Sequence, residues 1–313
     1  MDYLVTGGAG FIGSNYVRML LSDQFGPVNS VKVLDKLTYA GSLENLSSIF
    51  NDSRFKFVKG DICNEDTVNS MMNEGDIVVH FAAESHVDRS INGPSEFIKT
   101  NVQGTQVLLS AAVANRAKTF LHVSTDEVYG SVDEGSSAET DPLLPNSPYS
   151  ASKAASDLLV RAYVKTYGLD ARITRCCNNF GPNQYPEKFI PLSINCLKEH
   201  RKIPIYGDGS NVREWIHVGE HCRAIQSVIH SGVKGEIYNI GSGHLFTNLQ
   251  LAEKILALFK ASENWIEYVE DRKGHDYRYA LNKSKIELEL GFRIQYDFDQ
   301  KFAETFLNQT LKL

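Results

Sequence analysis

The sequence is poor in cysteine, in basic character and in long apolar runs. Its 313 residues include five cysteines, Cys63, Cys176, Cys177, Cys196 and Cys222. The number is odd and no Cys-x-x-Cys spacing occurs, so neither a disulfide framework nor a zinc knuckle organises the chain, and buried thiols are the expectation. No apolar run approaches the roughly 18–20 residues that cross a bilayer, so no membrane partner is expected. The opening Met1-Asp2-Tyr3-Leu4-Val5-Thr6 shows no cationic leader with an apolar stretch and cleavage site, which reads as a soluble cytoplasmic protein. Lys and Arg number 32 against 38 Asp and Glu, a net of -6 with no basic block to track a phosphate backbone. Nucleic acid is therefore not an expected partner, and no metal set is apparent.

What is present is an alternation. Short β-branched runs at Tyr3 to Thr6, Val31 to Leu34, Phe55 to Lys59, Ile77 to Phe81, Phe120 to Ser124 and Ala171 to Arg175 interleave with helical stretches. Those stretches run Ser14 to Leu21, Thr67 to Met72, Phe97 to Ala114 and Ala151 to Tyr167. Near-continuous apolar strands between helices predict βαβ units and a doubly wound parallel sheet covered on both faces. After Arg175 the rhythm breaks into Gly/Pro/Asn-rich pieces around a helix near Ile190 to Glu199 and a strand Ile203 to Tyr206, as expected of a ligand-facing lobe. The division expected is 1–175 for a cofactor domain and 176–313 for an interwoven lobe. Segments near 212–240, Trp215 to Val218 and Ile237 to Ile240, are expected to return to the main sheet.

Val5-Thr6 runs into Gly7-Gly8-Ala9-Gly10-Phe11-Ile12-Gly13. Glycines at that spacing, between a strand and a helix, permit a tight turn and let backbone N–H groups approach a pyrophosphate. Asp35 ends the second strand 22 positions after Gly13, near the spacing of about 20 for a carboxylate on ribose hydroxyls, which favours NAD over its 2′-phosphorylated form. Lys36 beside it softens that preference. Asp61, after the third strand, stands where it can meet an adenine edge.

Tyr149 and Lys153 stand at i and i+4 of a predicted helix, a pair able to take a hydroxyl proton while hydride leaves the same carbon. Four-residue Tyr/Lys spacing is common, and its weight comes from the glycine loop in the same chain. Ser124-Thr125-Asp126-Glu127-Val128-Tyr129-Gly130 lies at the carboxyl end of a strand, where open α/β sheets bind ligands. Two readings of Asp126-Glu127 stand open: a solvated turn, or a general acid and base with one pKa raised by burial and repulsion.

With these residues in place, the chain resembles the extended short-chain dehydrogenase/reductase family. Its finer segments look like the dTDP-glucose 4,6-dehydratases: Asp35 to Gly41, Ala82 to Ser90, Ser124 to Gly130, Tyr149 to Lys153, Arg213-Glu214-Trp215 and Asp271 to Asp276. The resemblance implies a Rossmann-type α/β doubly wound sheet with a smaller α/β C-terminal substrate lobe. It implies NAD as cofactor and a nucleotide sugar, dTDP-glucose, as substrate, with an internal redox cycle. Tyr149 takes the C4 hydroxyl proton as hydride leaves C4, with Thr125 bonded to the same hydroxyl. Glu127 removes the acidified C5 proton, neutral Asp126 protonates the departing C6 hydroxyl, and hydride returns to C6. Lys153 completes the catalytic set. Cofactor contacts are carried over to Gly7, Gly10, Phe11, Ile12, Gly13, Asp35, Lys36, Leu37, Thr38, Asp61, Ile62, Ala82, Ala83, Thr100, Tyr149, Lys153 and Asn179. Substrate contacts are carried over to Ser85, Thr125, Asn178, Lys188, Pro204, Tyr206, Arg213, Asn248 and His275. Without the likeness, Arg213 reads as a salt bridge to Glu214.

Three departures from the family pattern stand out: Phe180 in place of a tyrosine, Leu245-Phe246 in place of a more polar loop, and an end at Leu313 without a Trp-rich tail. The alternatives are a UDP-sugar 4,6-dehydratase, a nucleotide-sugar 4-epimerase, which lacks the Asp-Glu pair, and a non-catalytic NAD-binding regulator. The likeness also implies a homodimer through the helices at Phe97 to Ala114 and Ala151 to Tyr167. Leu108, Leu109, Leu158 and Leu159 on them could face a partner or the sheet.

Overall fold

A computed structural model describes residues 1–310; the chain end at Leu313 lies outside the described residues. In chain order the strands are β1 (Asp2–Thr6), β2 (Ser30–Asp35), β3 (Phe55–Lys59), β4 (Ile77–His80), β5 (Thr119–Thr125), β6 (Ala171–Cys176), β7 (Asn178–Phe180), β8 (Ile203–Tyr206), β9 (Val212–His217), β10 (Ile237–Ile240), β11 (Leu245–Thr247) and β12 (Ile266–Val269). Seven of them form one sheet in the order β10-β6-β5-β4-β1-β2-β3, every pairing parallel.

Side chains alternate across this sheet with the period of two that a pleated strand imposes. Tyr3, Val5, Val33, Val79 and Leu121 pack on one face with Tyr16, Val17 and Leu20 of the helix Phe11–Leu21 and with Ile225 and Val228 of the helix Val218–Ser231. Leu4, Leu34, Val78, Phe120 and Ile173 pack on the other with Val68, Leu108, Leu109 and Val160. Each such side chain, fully withdrawn from water, contributes about 1.5–3 kcal/mol. Leu108 and Leu109 thus face the sheet, whereas Leu158 is 52% exposed.

The lobe holds a three-stranded sheet, β11-β9-β7, and a parallel pair, β12-β8. Phe180, Ile190, Ile194, Ile205, Trp215, Leu251, Ile255, Phe298 and Phe302 form its separate core. Trp215 to Val218, expected in the main sheet, instead falls largely in β9 beside β7 and β11. The reason is space: β10 occupies the edge next to β6, with Ile237 opposite Ile173. Phe180 is fully buried against Phe298, Phe302 and His217, so a hydroxyl there would meet the lobe core. Phe246 likewise packs against Phe298, its ring tilted 40° with centroids 4.9 Å apart.

Two local features place the site. The helix Pro148–Tyr167 begins at a capping box, Ser147 with Ser150, has proline in its first turn, and ends at Gly168 in the left-handed region, so its start is fixed. The expected single helix at Phe97 to Ala114 is interrupted by a π-helical stretch, Ile98–Gly104. Its cause is local hydrogen bonding: the Asn101 side chain pairs with both backbone groups of Glu84, and the Asn101 carbonyl accepts from Thr105 and Ser156 hydroxyls at 2.6 Å. Such π stretches commonly accompany functional sites.

Candidate active site

Between β1 and β4 the strand order reverses, and a cleft opens along the carboxyl ends of the strands there. The turn after β1 is tight enough to require glycine. A Cβ on Gly7, where φ is +72°, would lie 2.5 Å from the Ala82 nitrogen, and one on Gly13 would lie 2.3 Å from the Gly7 carbonyl oxygen. The helix Phe11–Leu21 starts at Gly10 with no side-chain cap, so its first amides face the cleft as a positive end suited to a diphosphate. Asp35 ends β2 with its carboxylate accepting from the Ala9 and Leu37 amides, at 2.9 and 2.8 Å. Lys36 pairs with Asp61 at 2.8 Å, which directs its charge to that carboxylate rather than to a phosphate beside Asp35. Gly7, Gly10, Phe11, Ile12, Gly13, Asp35, Lys36, Thr38, Asp61, Ile62, Ala82, Ala83, Thr100 and Asn179 all line this cleft. Leu37 does not; it sits at φ +54° in the turn behind Asp35. The residues therefore fit a dinucleotide.

The same cleft continues to Thr125, Asp126, Glu127, Tyr149 and Lys153. Thr125 ends β5 and caps a short 3-10 turn, Asp126–Tyr129. Its hydroxyl reaches the Tyr149 phenol and donates to Asp126 Oδ1 at 3.2 Å. Asp126 is 3% exposed and its Oδ2 has no partner. Burial first, then the neighbouring Glu127, push its pKa well above the carboxylate range, so this acid is neutral and carries a proton into the cleft. Glu127 is raised by burial but drawn back by Arg272, Arg213 and Lys188. Two adjacent carboxyls in unequal surroundings are the arrangement expected of an acid and a base, and the solvated-turn reading does not fit.

A lysine one helical turn from a phenol is expected to lower the phenol's pKa, but Lys153 is not among the groups that set the pKa of Tyr149. Its ammonium donates to the Val123 carbonyl at 2.8 Å, and the Tyr149 pKa is raised, by burial and by Glu127. Burial brings Lys153 itself down to about 8.

On the lobe side, Lys188 donates to the Ser85 carbonyl at 3.0 Å, and Lys188, Ser85 and Asn178 line the cleft. Arg213 is buried, lies 4.3 Å over the Tyr279 ring and donates to the Asp276 carbonyl at 2.8 Å. It makes no salt bridge to Glu214, whose carboxylate points the other way off β9 to the Gly243 and Leu281 amides. His275 pairs with Asp271 at 2.6 Å, and its ring lies 6.1 Å from Tyr206, whose hydroxyl donates to Asp88. Arg213, Tyr206, His275, Pro204 in β8 and Asn248, the first residue of the helix Asn248–Phe259, do not line the main cleft.

The chain matches the family model described as "GDP-mannose 4,6 dehydratase" over residues 4–305. It is 53% identical over 308 residues, 97% of this chain and 96% of the relative, to a dTDP-glucose 4,6-dehydratase of Actinoplanes sp.. The chain belongs to the 4,6-dehydratase family. The crystal structure of one such enzyme, DesIV from Streptomyces venezuelae, with NAD bound, is 53% identical and superposes with a TM-score of 0.98 over 100% of this chain and 97% of that one. A UDP-glucose 4-epimerase of Thermotoga maritima shares 28% identity with a TM-score of 0.90, covering 99% of this chain and all of that one.

In and around this 4,6-dehydratase cleft, several residues escaped sequence reasoning. Arg272 is the foremost attraction on Glu127, and its buried Nε has no partner. It sits in the Asp271 to Asp276 segment, where its charge was the available signal. His221 holds Asn179 at 2.9 Å and lines the cleft with Cys176, Tyr185 and Glu187. Cys176 is thus a thiol of the site as well as of the core. These come from β6 and from loops and helices far apart in sequence, and no motif links them.

Proposed function

We propose that the protein is a dTDP-glucose 4,6-dehydratase, converting the nucleotide sugar to its 4-keto-6-deoxy product with loss of water. The observation that carries this reading is Asp126: a buried, neutral carboxylic acid with a free oxygen, next to a carboxyl that three cations draw toward ionisation. An epimerase exchanges configuration at one carbon and has no use for an acid at C6.

NAD, when bound along the glycine turn and Asp35, supplies reversible hydride acceptance from C4 and return to C6. The chain's own residues move the protons. Tyr149, held by Thr125, would take the C4 hydroxyl proton as the phenolate, the form that a bound nicotinamide cation favours over the phenol that burial alone favours. The resulting ketone acidifies C5, whose proton Glu127 removes and later restores. Asp126 protonates the C6 hydroxyl so that water departs rather than hydroxide. Lys153 stays an ammonium at the foot of the site, and Lys188, Arg213 and Arg272 hold the diphosphate with charge-assisted bonds. Tyr206, His275, Asn248 and Pro204 extend this set toward the nucleotide.

The protein acts in the cytoplasm as a homodimer. Ile98 and Leu158, both 52% exposed on adjacent helices, support such an interface; sedimentation giving only a 35 kDa species at micromolar concentration contradicts it. Incubation with dTDP-glucose and with UDP-glucose, followed by mass analysis, tests the assignment. Loss of one water from the thymidine sugar is expected. Loss from the uridine sugar alone moves the assignment to a UDP-sugar dehydratase, and full turnover by Tyr149→Phe overturns the proton path.

A further inference from the structure

Beneath the catalytic residues lies a buried polar chain that the proton path above does not use. Asp157 follows Lys153 by one helical turn and is fully buried. Its Oδ2 accepts from Arg175 Nε at 2.9 Å, and its Oδ1 lies 3.4 Å from His122 Nε2. Arg175 donates on to the Tyr129 hydroxyl at 2.8 Å and stacks over that ring, and Tyr129 donates to Asn239 at 2.8 Å. Tyr129 closes the same 3-10 turn that carries Asp126 and Glu127. We propose that Asp157 is a positioning residue, which holds Lys153 as the ammonium and, through Arg175 and Tyr129, seats the turn bearing the acid and the base.

The geometry supports both halves. A lysine 4% exposed, with one carbonyl partner, needs a counter-charge to stay protonated. The titratable groups that interact with it are Asp157 on its own helix, His80 on β4 and His122 on β5. Burial holds both histidines neutral at neutral pH. Burial would raise Asp157 too, but His122 and Arg175 outweigh it and keep the carboxylate ionised. Asp157 is then the anion left to favour the ammonium. A buried pair used in this way is a registration device more than a source of stability.

This role rests on the reading of Lys153 given above, and the experiment separates the two. In the NAD-loaded enzyme, Asp157→Asn is expected to move the alkaline limb of kcat to lower pH by about one unit, so that activity near pH 8 falls about fivefold, approaches a tenfold loss near pH 9 and recovers toward pH 6. A merely structural residue would scale activity equally at all pH values and leave the limb in place. If Asp157→Asn does not fold, Asp157→Asn/Arg175→Met removes both charges without stranding one, and the same shift is expected. A folded variant with an unmoved limb overturns the role of Asp157. Wild-type turnover by Lys153→Met overturns the reading of Lys153 itself, whereas an inactive Lys153→Met beside an unmoved limb overturns only the proposal.

Discussion

Asp126→Asn changes one atom of the site and separates two steps that share every other group. The amide preserves the Oδ1 that accepts from Thr125 and fills the same volume, but it cannot deliver a proton from the oxygen that has no partner in the protein. Loss of a general acid typically costs about 10²- to 10⁴-fold, or about 3–5 kcal/mol of barrier. The loss should fall on elimination alone. Tyr149 and Glu127 remain, so oxidation at C4 and abstraction at C5 continue, and in heavy water the unreacted sugar gains deuterium at C5 while water loss stalls. Mass spectrometry of the sugar nucleotide reads both. Glu127→Gln should lose exchange and elimination together. The same substitution has a stability signature of known sign. The Asp126 pKa is raised on folding by burial and by Glu127, so its folded form is favoured at low pH and penalised as pH rises. Asp126→Asn should therefore raise Tm at neutral pH, and the gain should shrink as pH falls into the ordinary carboxylate range. Water loss at the wild-type rate, or equal loss of exchange and elimination, refutes the assignment of Asp126 as the acid at C6.

Other consequences follow from the same geometry. Arg272→Gln removes the largest attraction on Glu127; its pKa should rise, moving the acidic limb of kcat upward, with KM raised about tenfold from the lost charge-assisted contact. Gly13→Ala drives a Cβ to 2.3 Å from the Gly7 carbonyl, and the purified protein should retain far less NAD, measured by extraction and chromatography, while the far-ultraviolet spectrum stays that of the wild type. Burial, then Lys153, depresses fully buried His122 to about 4 from 6.5. Its contribution is complete above about pH 6.5 and is lost as pH falls through about 4, on the order of 3 kcal/mol, which denaturant titrations across that range will show.

The cofactor half was legible because its information is local. Strands such as Val31 to Leu34 are buried on both faces and announce themselves as β-branched runs. Gly7, Gly10, Gly13 and Asp35 follow from turn geometry and spacing. Ser147, Pro148 and Gly168 mark one helix at both ends. The lobe was less legible because its pairings are long-range: β9 joins β7 and β11 only because β10 has taken the sheet edge, and no residue in Trp215 to Val218 encodes that competition. Arg213 was ambiguous until the pleat of β9 put it and Glu214 on opposite faces. Arg272, His221 and Asp157 depend on what the fold brings beside them, which is also why Phe180, a departure from the family pattern, costs the site nothing: its ring faces the lobe core.

The most direct test is isotopic. dTDP-glucose bearing deuterium at C4, given to the NAD-loaded enzyme without any added oxidant or reductant, should yield a 4-keto-6-deoxy product that has lost one water and carries the deuterium at C6. Deuterium released to solvent, dependence on added cofactor for each turnover, or recovery of an epimer with its water intact would contradict the internal hydride cycle proposed here.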